Sequence, residues 1–158
     1  MRDAFVFLTI AGLGMSVAGL AGLVTALRRS GSWDRTELWR LRNIARLGFL
    51  VVFLALVIFP IYGFLGDEVA ALRWASGIIA ALHVIEIVLA RRDRVNWPGP
   101  TWVTGALVPE GLFALVSAAN VALGSTALFE VGLLLRLMHP VNLVLLVLRS
   151  FDPAGRGT

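Results

Sequence analysis

The sequence predicts an all-α integral membrane protein with five transmembrane helices, its N-terminus outside and its C-terminus in the cytoplasm. Of its 158 residues, 58% are hydrophobic, whereas soluble domains contain roughly 45 to 50%. Five apolar runs are each close to the ~20 residues that an α-helix needs to cross the hydrocarbon core. The arginines concentrate in alternate connections between these runs. Because the runs occupy most of the chain, we expect a single transmembrane domain over residues 1–158.

The five apolar runs follow one another with short connections. Two arginines directly follow the first run, whereas a signal peptide has its basic region before a shorter apolar core. We therefore interpret this run as an uncleaved first helix. Very short turns at Gly66-Asp67-Glu68 and at Gly124 predict two antiparallel helical hairpins, and Pro60 interrupts the second run near its end. The predicted spans are residues 4–27, 47–65, 69–90, 101–123 and 125–148.

The orientation follows from the arginines in the short loops. Residues 28–46 carry six arginines and residues 91–100 carry three, while the opposite side has only Arg2 and the acidic pair Asp67 and Glu68. Basic loops stay in the cytoplasm, and five spans put all of these basic segments on that side. Tryptophan favours the membrane boundary, and four tryptophans fall at the predicted cytoplasmic edge: Trp33, Trp39, Trp97 and Trp102.

The segment between the first two spans predicts a short interfacial helix that continues into span two. Asp34 and Glu37 have the spacing of a capping box, with Asp in place of the usual Ser or Thr. Apolar residues recur at helical intervals on the face opposite three arginines. We expect these arginines to contact anionic lipid headgroups, which makes membrane lipids the predicted partners: Arg35, Arg42 and Arg46.

Composition and missing motifs exclude several classes of protein. Cysteine is absent, so disulfides and thiolate metal sites are excluded, and no lysine is present for Schiff-base chemistry. The arginine-only basic set is typical of a GC-rich bacterial genome, so we expect a bacterial inner membrane protein. The arginines flank membrane spans rather than base-stacking aromatics, which argues against a nucleic-acid partner. No hydrolase triad, phosphate loop or HExxH motif occurs, so we do not expect an enzyme.

The ionisable residues within the spans carry the functional signal, because each costs at least ~2.5 kcal/mol to insert. All of them lie in the last three spans. With about 1.5 Å of rise per residue, they fall into three layers, each with an acid and a basic or titratable partner. Two ion pairs are predicted, Arg73 with Glu130 near the outside and Arg136 with Glu110 at the centre. The predicted pathway residues are Glu110, Arg136, His139, His83, Glu86, Glu130, Arg73 and the neutral Asn120.

Two hypotheses compete for these residues. In the first, the protein is a small oligomeric transport protein that conducts protons or small ions along acids and histidines at successive depths. Pro109, next to Glu110, is expected to open the helix and free backbone carbonyls that line a cavity. In the second, the protein is a non-catalytic accessory or assembly subunit of a larger membrane complex, and the same side chains hold helices together.

The two histidines and a stripe of small residues lead to two further hypotheses, one about a cofactor and one about helix association. No cofactor is expected, although His83 and His139 sit at similar predicted depths on different spans, as the axial ligands of a b-type haem do. A His-x-x-Glu order occurs once and does not match a carboxylate-bridged metal motif. Gly14, Ala18 and Gly22 form a small-residue face for close helix contact, either within the chain or between copies in a homo-oligomer.

Overall fold

The computed structural model describes residues 3–27, 35–92 and 100–149, and these residues form helices and short turns without any β-strand. This confirms the prediction of an all-α chain for the described residues. The helices, in chain order, are α1 (Ala4–Leu27), α2 (Arg35–Leu56), α3 (Ile58–Leu65), α4 (Glu68–Arg92), α5 (Pro100–Leu123) and α6 (Thr126–Arg149). Of the four tryptophans predicted at the cytoplasmic edge, Trp33 and Trp97 lie outside the described residues, and the side chain of Trp102 is not described.

Helix length and exposure show that the chain is a membrane protein. In the described residues, four helical segments are long and apolar enough to span a bilayer: Ala4–Ala26, Glu37–Leu65, Glu68–Leu89 and Thr126–Leu148. A fifth apolar segment, Glu110–Leu123 in α5, is shorter. Large apolar side chains point away from the bundle, including Phe64 at 90% exposure and Leu115 at 69%. Such a surface is stable against lipid hydrocarbon rather than water.

The predicted interfacial helix and the second span form one continuous helix up to Leu56. Asp34, the predicted capping residue, lies outside the described residues, and Glu37 occupies the first turn of α2. The helix is interrupted only at Val57, before α3. Pro60 explains this position, because proline has no N–H to donate and its ring clashes with the carbonyl of the residue four positions earlier, here Leu56.

The α1–α2 contact is made through small residues within one chain. A methyl group added at Gly48 would lie 2.7 Å from the Gly14 carbonyl oxygen and 2.9 Å from Ala18 Cβ. Small residues allow this close approach of two helical backbones. Gly14 and Ala18 of the predicted face therefore serve an intramolecular contact. Gly22 does not share it, because it is exposed and a Cβ built there meets nothing within 4 Å.

Both predicted tight turns are present, and each contains a glycine in the left-handed region. Gly66 has φ 69° and Gly124 has φ 62°, a conformation that costs glycine little. Asp67 caps α4, since its Oδ1 accepts hydrogen bonds from the backbone N–H of Val69 at 2.8 Å and of Ala70 at 3.1 Å. At the second turn, Ser125 Oγ accepts from Leu128 N at 3.4 Å and caps α6.

The packing order of the helices leaves a space for polar side chains. Helix α2 packs against α1 and α6, α5 lies between α4 and α6, and α3 packs on α4. Helices α4 and α6 approach each other at only a few backbone positions. The space among α4, α5 and α6 is filled by side chains, in the half of the bundle where α4 ends and α5 begins. We call this the cluster end.

Candidate functional site

Five ionisable side chains from three helices meet in this space, and we call them the polar cluster. Helix α4 contributes two of them, α5 one and α6 two: His83, Glu86, Glu110, Arg136 and His139. Residues three apart on a helix lie on the same face, which explains why each of the two outer helices presents a pair. The expected pair of Arg136 and Glu110 is confirmed.

The Glu110 carboxylate is the centre of the polar cluster. Its Oε1 accepts hydrogen bonds from Arg136 Nη1 and, at 2.6 Å, from His139 Nδ1. Its Oε2 contacts His83 Nε2. The side chain is 13% exposed, so these nitrogens replace most of its water. A buried carboxylate that is paired and hydrogen-bonded in this way avoids most of the cost of desolvation.

Arg136 links two acids that lie on different helices. Its side chain is 1% exposed, and its Nη2 donates to Glu86 Oε2 at 2.6 Å while Nη1 donates to Glu110. The guanidinium carbon also lies 6.0 Å from the centre of the Phe113 ring, within range of a cation–π contact. The planar fork of arginine suits such two-sided pairing, so a lysine would not replace it.

His83 faces a different acid with each of its ring nitrogens. Nε2 contacts Glu110 Oε2, and Nδ1 lies 4.0 Å from Glu86 Oε2. The imidazole is 1% exposed and stands edge-on to Phe113, with the ring centres 4.3 Å apart. Phe113 in turn lies against Gly132, where an added Cβ would be 3.3 Å from the ring. The packing therefore holds the imidazole between the two carboxylates.

The hydrogen bonds at His83 Nε2 admit two positions for one proton. Arg136 Nη1 lies 3.2 Å from this nitrogen, and arginine can only donate. If Nε2 carries the proton, it donates to the Glu110 carboxylate and leaves Arg136 without that acceptor. If Glu110 carries this proton and the ring proton is on Nδ1, the Nε2 lone pair faces both the Glu110 hydroxyl and Arg136 Nη1. Each arrangement satisfies a different set of contacts.

The polar cluster reaches the surface at the cluster end, through Glu86 and Arg46. Arg46 Nη2 lies 3.4 Å from Glu86 Oε1, and the two side chains are 63% and 22% exposed. The sequence predicts a headgroup contact for Arg46, together with Arg42, which is exposed, and Arg35, whose side chain is not described. No sequence signal pairs Arg46 with Glu86, because this contact joins two helices that are not consecutive in the chain.

Toward the other end of the bundle, apolar side chains cover the polar cluster. The buried residues one turn beyond it are Ile79, Phe113 and Leu133. Beyond them Asn120 donates to Ser76 Oγ at 2.9 Å, and its Oδ1 accepts from Ser125 N at 2.7 Å. Asn120 therefore fastens the α5–α6 turn to α4, about 10 Å of helix rise away from His83.

The predicted pair of Arg73 and Glu130 is wrong. Arg73 is exposed, and its Cγ lies beside the Gly124 turn. Glu130 is half-buried on α6, and its Oε1 is a buried atom without a hydrogen-bond partner. The two residues share a depth but point to different sides of the bundle, since depth along a helix does not define rotation about its axis.

The two inner layers of the expected series merge into a single cluster. Residues from Glu86 to Arg136, predicted at depths of about 6 to 18 Å, meet because long side chains cross several ångströms along the helix axes. Pro109 does not open its helix, since α5 continues through it. A second proline, Pro140, follows His139 within α6, and its missing N–H leaves the Arg136 carbonyl without its usual helical donor.

The polar cluster has the donor atoms of a cation site, but arginine already occupies that position. Ligand atoms of His83, Glu86 and Glu110 lie within 4.8 Å of one another. The Arg136 guanidinium bridges the same two carboxylates and supplies the positive charge there. The haem hypothesis remains a prediction, and His83 and His139 both contact Glu110 in this structure.

Comparison with protein-family models, with curated protein sequences and with solved structures finds no match to this chain.

Proposed function

We propose that the protein is a small membrane transport protein that moves protons by a relay through Glu86, His83 and Glu110. The observation that carries this proposal is that the two ring nitrogens of His83 face two different carboxylates, one of them partly exposed. An imidazole can accept a proton on one nitrogen and release one from the other at neutral pH. It thus connects an accessible acid with a deep one.

The relay step conserves charge on the ring. A proton arrives at His83 Nδ1 from the Glu86 side, while the proton on Nε2 passes to Glu110 Oε2. The N–H bond at Nε2 breaks, the N–H bond at Nδ1 forms, and the imidazole ends neutral as the other tautomer. The 4.0 Å gap between Nδ1 and Glu86 Oε2 has to shorten, or hold one water, before this transfer.

Arg136 has a hydrogen-bond acceptor in either position of the proton. Its Nη1 contacts both Glu110 Oε1 and His83 Nε2. It therefore donates to the carboxylate when the proton is on Nε2, and it can also donate to Nε2 when the proton is on Glu110. Neutralising Glu110 still leaves Arg136 paired with Glu86. Both proton positions therefore keep the buried cation partnered, as a buried charge requires.

We also propose how the chain is oriented in the membrane and which path the proton takes. Five spans with the arginine-rich segments inside place the cluster end at the cytoplasmic face of a bacterial inner membrane. The proton then enters from the cytoplasmic side past Arg46 and Glu86. The layer of Ile79, Phe113 and Leu133 blocks the other side, so completing transport requires these side chains to part or an oligomer to supply the second half of the path.

Reconstituted liposomes provide the test. An imposed membrane potential drives proton entry, which an enclosed pH-sensitive dye reports for the wild type, Glu110→Gln and Glu130→Gln. Glu130 is the matched control, because it is an acid within the membrane that lies outside the polar cluster. We expect Glu110→Gln to lower the rate about 100-fold, the typical contribution of a positioned proton-transfer group, and Glu130→Gln to keep it. Wild-type flux equal to that of protein-free liposomes would refute the proposal.

A second candidate function is that of an accessory subunit in a larger membrane complex. The observation in its favour is that Arg136 joins α4, α5 and α6 through two acids, as polar side chains that hold helices together do. This candidate predicts no flux in any variant. It also predicts that Glu110→Gln and Arg136→Leu each reduce folded yield, and that the double variant recovers part of it.

A further inference from the structure

We propose that the nitrogens around Glu110 form a binding site for one small monovalent anion, such as chloride, and that the Glu110 carboxylate occupies this site until it is protonated. The inference rests on the proposed proton uptake at Glu110. Proton and anion would then enter the polar cluster together. This makes the protein a proton-coupled anion transporter.

The hydrogen-bond donors around Glu110 come from the two helices that flank its own helix. Arg136 Nη1, His139 Nδ1 and His83 Nε2 converge on one carboxylate from two helices that flank α5. None of these donors comes from the helix that carries Glu110. If the Glu110 side chain rotates away, the donors stay in place on α4 and α6. They then surround a space of the size of one carboxylate group, with positive potential.

The charges of the polar cluster and Arg46 also favour a monovalent anion. With neutral histidines, the positive charges of Arg46 and Arg136 balance the negative charges of Glu86 and Glu110. Protonation of Glu110 leaves these four groups with one positive charge in excess, while Arg136 keeps Glu86 as its partner. One monovalent anion beside Arg136 Nη1 restores the neutrality of the group. A divalent anion would leave a net negative charge, and the Glu86 carboxylate beside Arg136 repels it more strongly than a monovalent anion.

Every charged or titratable group that faces Glu110 or the edge of the cluster enters this balance. Helix α4 contributes His83 and Glu86, α6 contributes Arg136 and His139, and α2 contributes Arg46 at the edge. The exposed Arg46 gives the entrance a positive charge that attracts anions.

Thermal unfolding of the detergent-solubilised protein tests the site without a transport assay. Chloride replaces gluconate, an anion too large for the space, at constant ionic strength. We expect chloride to raise the transition temperature of Glu110→Ala by roughly 4 °C in a saturating manner, as a ligand bound only to the folded state does. The wild type at neutral pH should not respond, because its own carboxylate fills the site. Glu130→Ala is the control, and it should not respond either.

The wild type provides a second readout if Glu110→Ala does not fold. In liposomes, replacing chloride with gluconate should lower the wild-type proton flux, because proton and anion are proposed to enter together. No chloride effect on the transition temperature of the variant or on the wild-type flux would overturn the anion site. An equal chloride effect in Glu130→Ala would also overturn it, because it would indicate a general salt effect.

The two proposals fail in distinguishable ways. If chloride stabilises Glu110→Ala as expected but wild-type liposomes show no proton flux, the anion site stands and proton transport is refuted. If proton flux depends on Glu110 but neither protein responds to chloride, the relay stands and the anion site is refuted.

Discussion

Arg136 on α6 donates from Nη2 to Glu86 Oε2 on α4 at 2.6 Å, although the backbones of these two helices approach each other at only a few positions. The side chain therefore supplies a contact that backbone packing does not. It also supplies the positive charge between two acids, with its other nitrogen on Glu110. Stability and the proposed proton relay depend on the same guanidinium, so we expect Arg136 to be the most sensitive position in the polar cluster.

Replacing Arg136 with leucine should destabilise the fold strongly. The change leaves Glu86 and Glu110 without their cation, and removing one partner of a buried ion pair costs about 3 to 5 kcal/mol. Unfolding in mixed micelles measures the free energy. The control is Arg73→Leu at an exposed position on α4, where we expect a change within about 0.5 kcal/mol. Equal effects of the two substitutions would contradict the assigned role of Arg136.

The α1–α2 contact predicts opposite outcomes for two glycines. Gly48→Ala places a methyl group 2.7 Å from the Gly14 carbonyl oxygen, so the helices must separate, at a cost of about 1 to 3 kcal/mol. Gly22→Ala meets nothing within 4 Å and gains helix propensity, so it should stabilise by up to about 1 kcal/mol. Unfolding of both variants checks this, and a stable Gly48→Ala protein would show that the contact is looser than described.

Asn120 should contribute more to stability than Asn142, although both lie within predicted spans. Asn120→Ala removes the bonds to Ser76 Oγ and to the N–H of Ser125, at a cost of about 1 to 2 kcal/mol. Asn142 is exposed, and its replacement by alanine should change stability by less than about 0.5 kcal/mol. The unfolding midpoints of the two variants check this prediction. A larger loss of stability in Asn142→Ala than in Asn120→Ala would contradict it.

Arg46→Gln should change the access of protons to the polar cluster with little loss of stability. The Arg46–Glu86 pair is largely exposed, so its loss should cost no more than about 1 kcal/mol. Glu86 then loses one of its two arginine partners, and the entrance loses a positive charge that repels protons, so the proton flux should rise. Arg42→Gln, an exposed position four residues earlier, should leave the flux unchanged. A fall in the flux of Arg46→Gln would mean that Arg46 assists proton entry.

Much of the fold could be predicted from hydropathy, because the thickness of the bilayer sets helix length. The first predicted span, residues 4–27, has the same bounds as α1, and the last three spans lie within two residues of α4, α5 and α6. Only the second helix differs, since α2 begins at Arg35 and includes the predicted interfacial helix. Because a charge in lipid is costly, the ionisable residues within the spans also indicate that the polar cluster lies on α4, α5 and α6.

The contacts within the site could be predicted only in part. Arg136 and Glu110 were paired correctly because both lie deep in their spans. Arg73 and Glu130 were paired incorrectly, because a shared depth says nothing about which side of the bundle a residue faces. Gly48 was missed, since only span one showed a repeat of small residues. Arg46 was missed because an arginine at a membrane edge is usually a headgroup contact.

The most direct test of the relay is proton flux through His83→Gln in liposomes. The Gln amide can still donate to Glu110, so the fold should keep a normal unfolding midpoint, but an amide does not pass a proton from one end to the other as imidazole does. The account predicts a folded protein whose proton flux is about 100-fold below that of the wild type. Wild-type flux in folded His83→Gln would contradict it, because protons would then cross without the imidazole between Glu86 and Glu110.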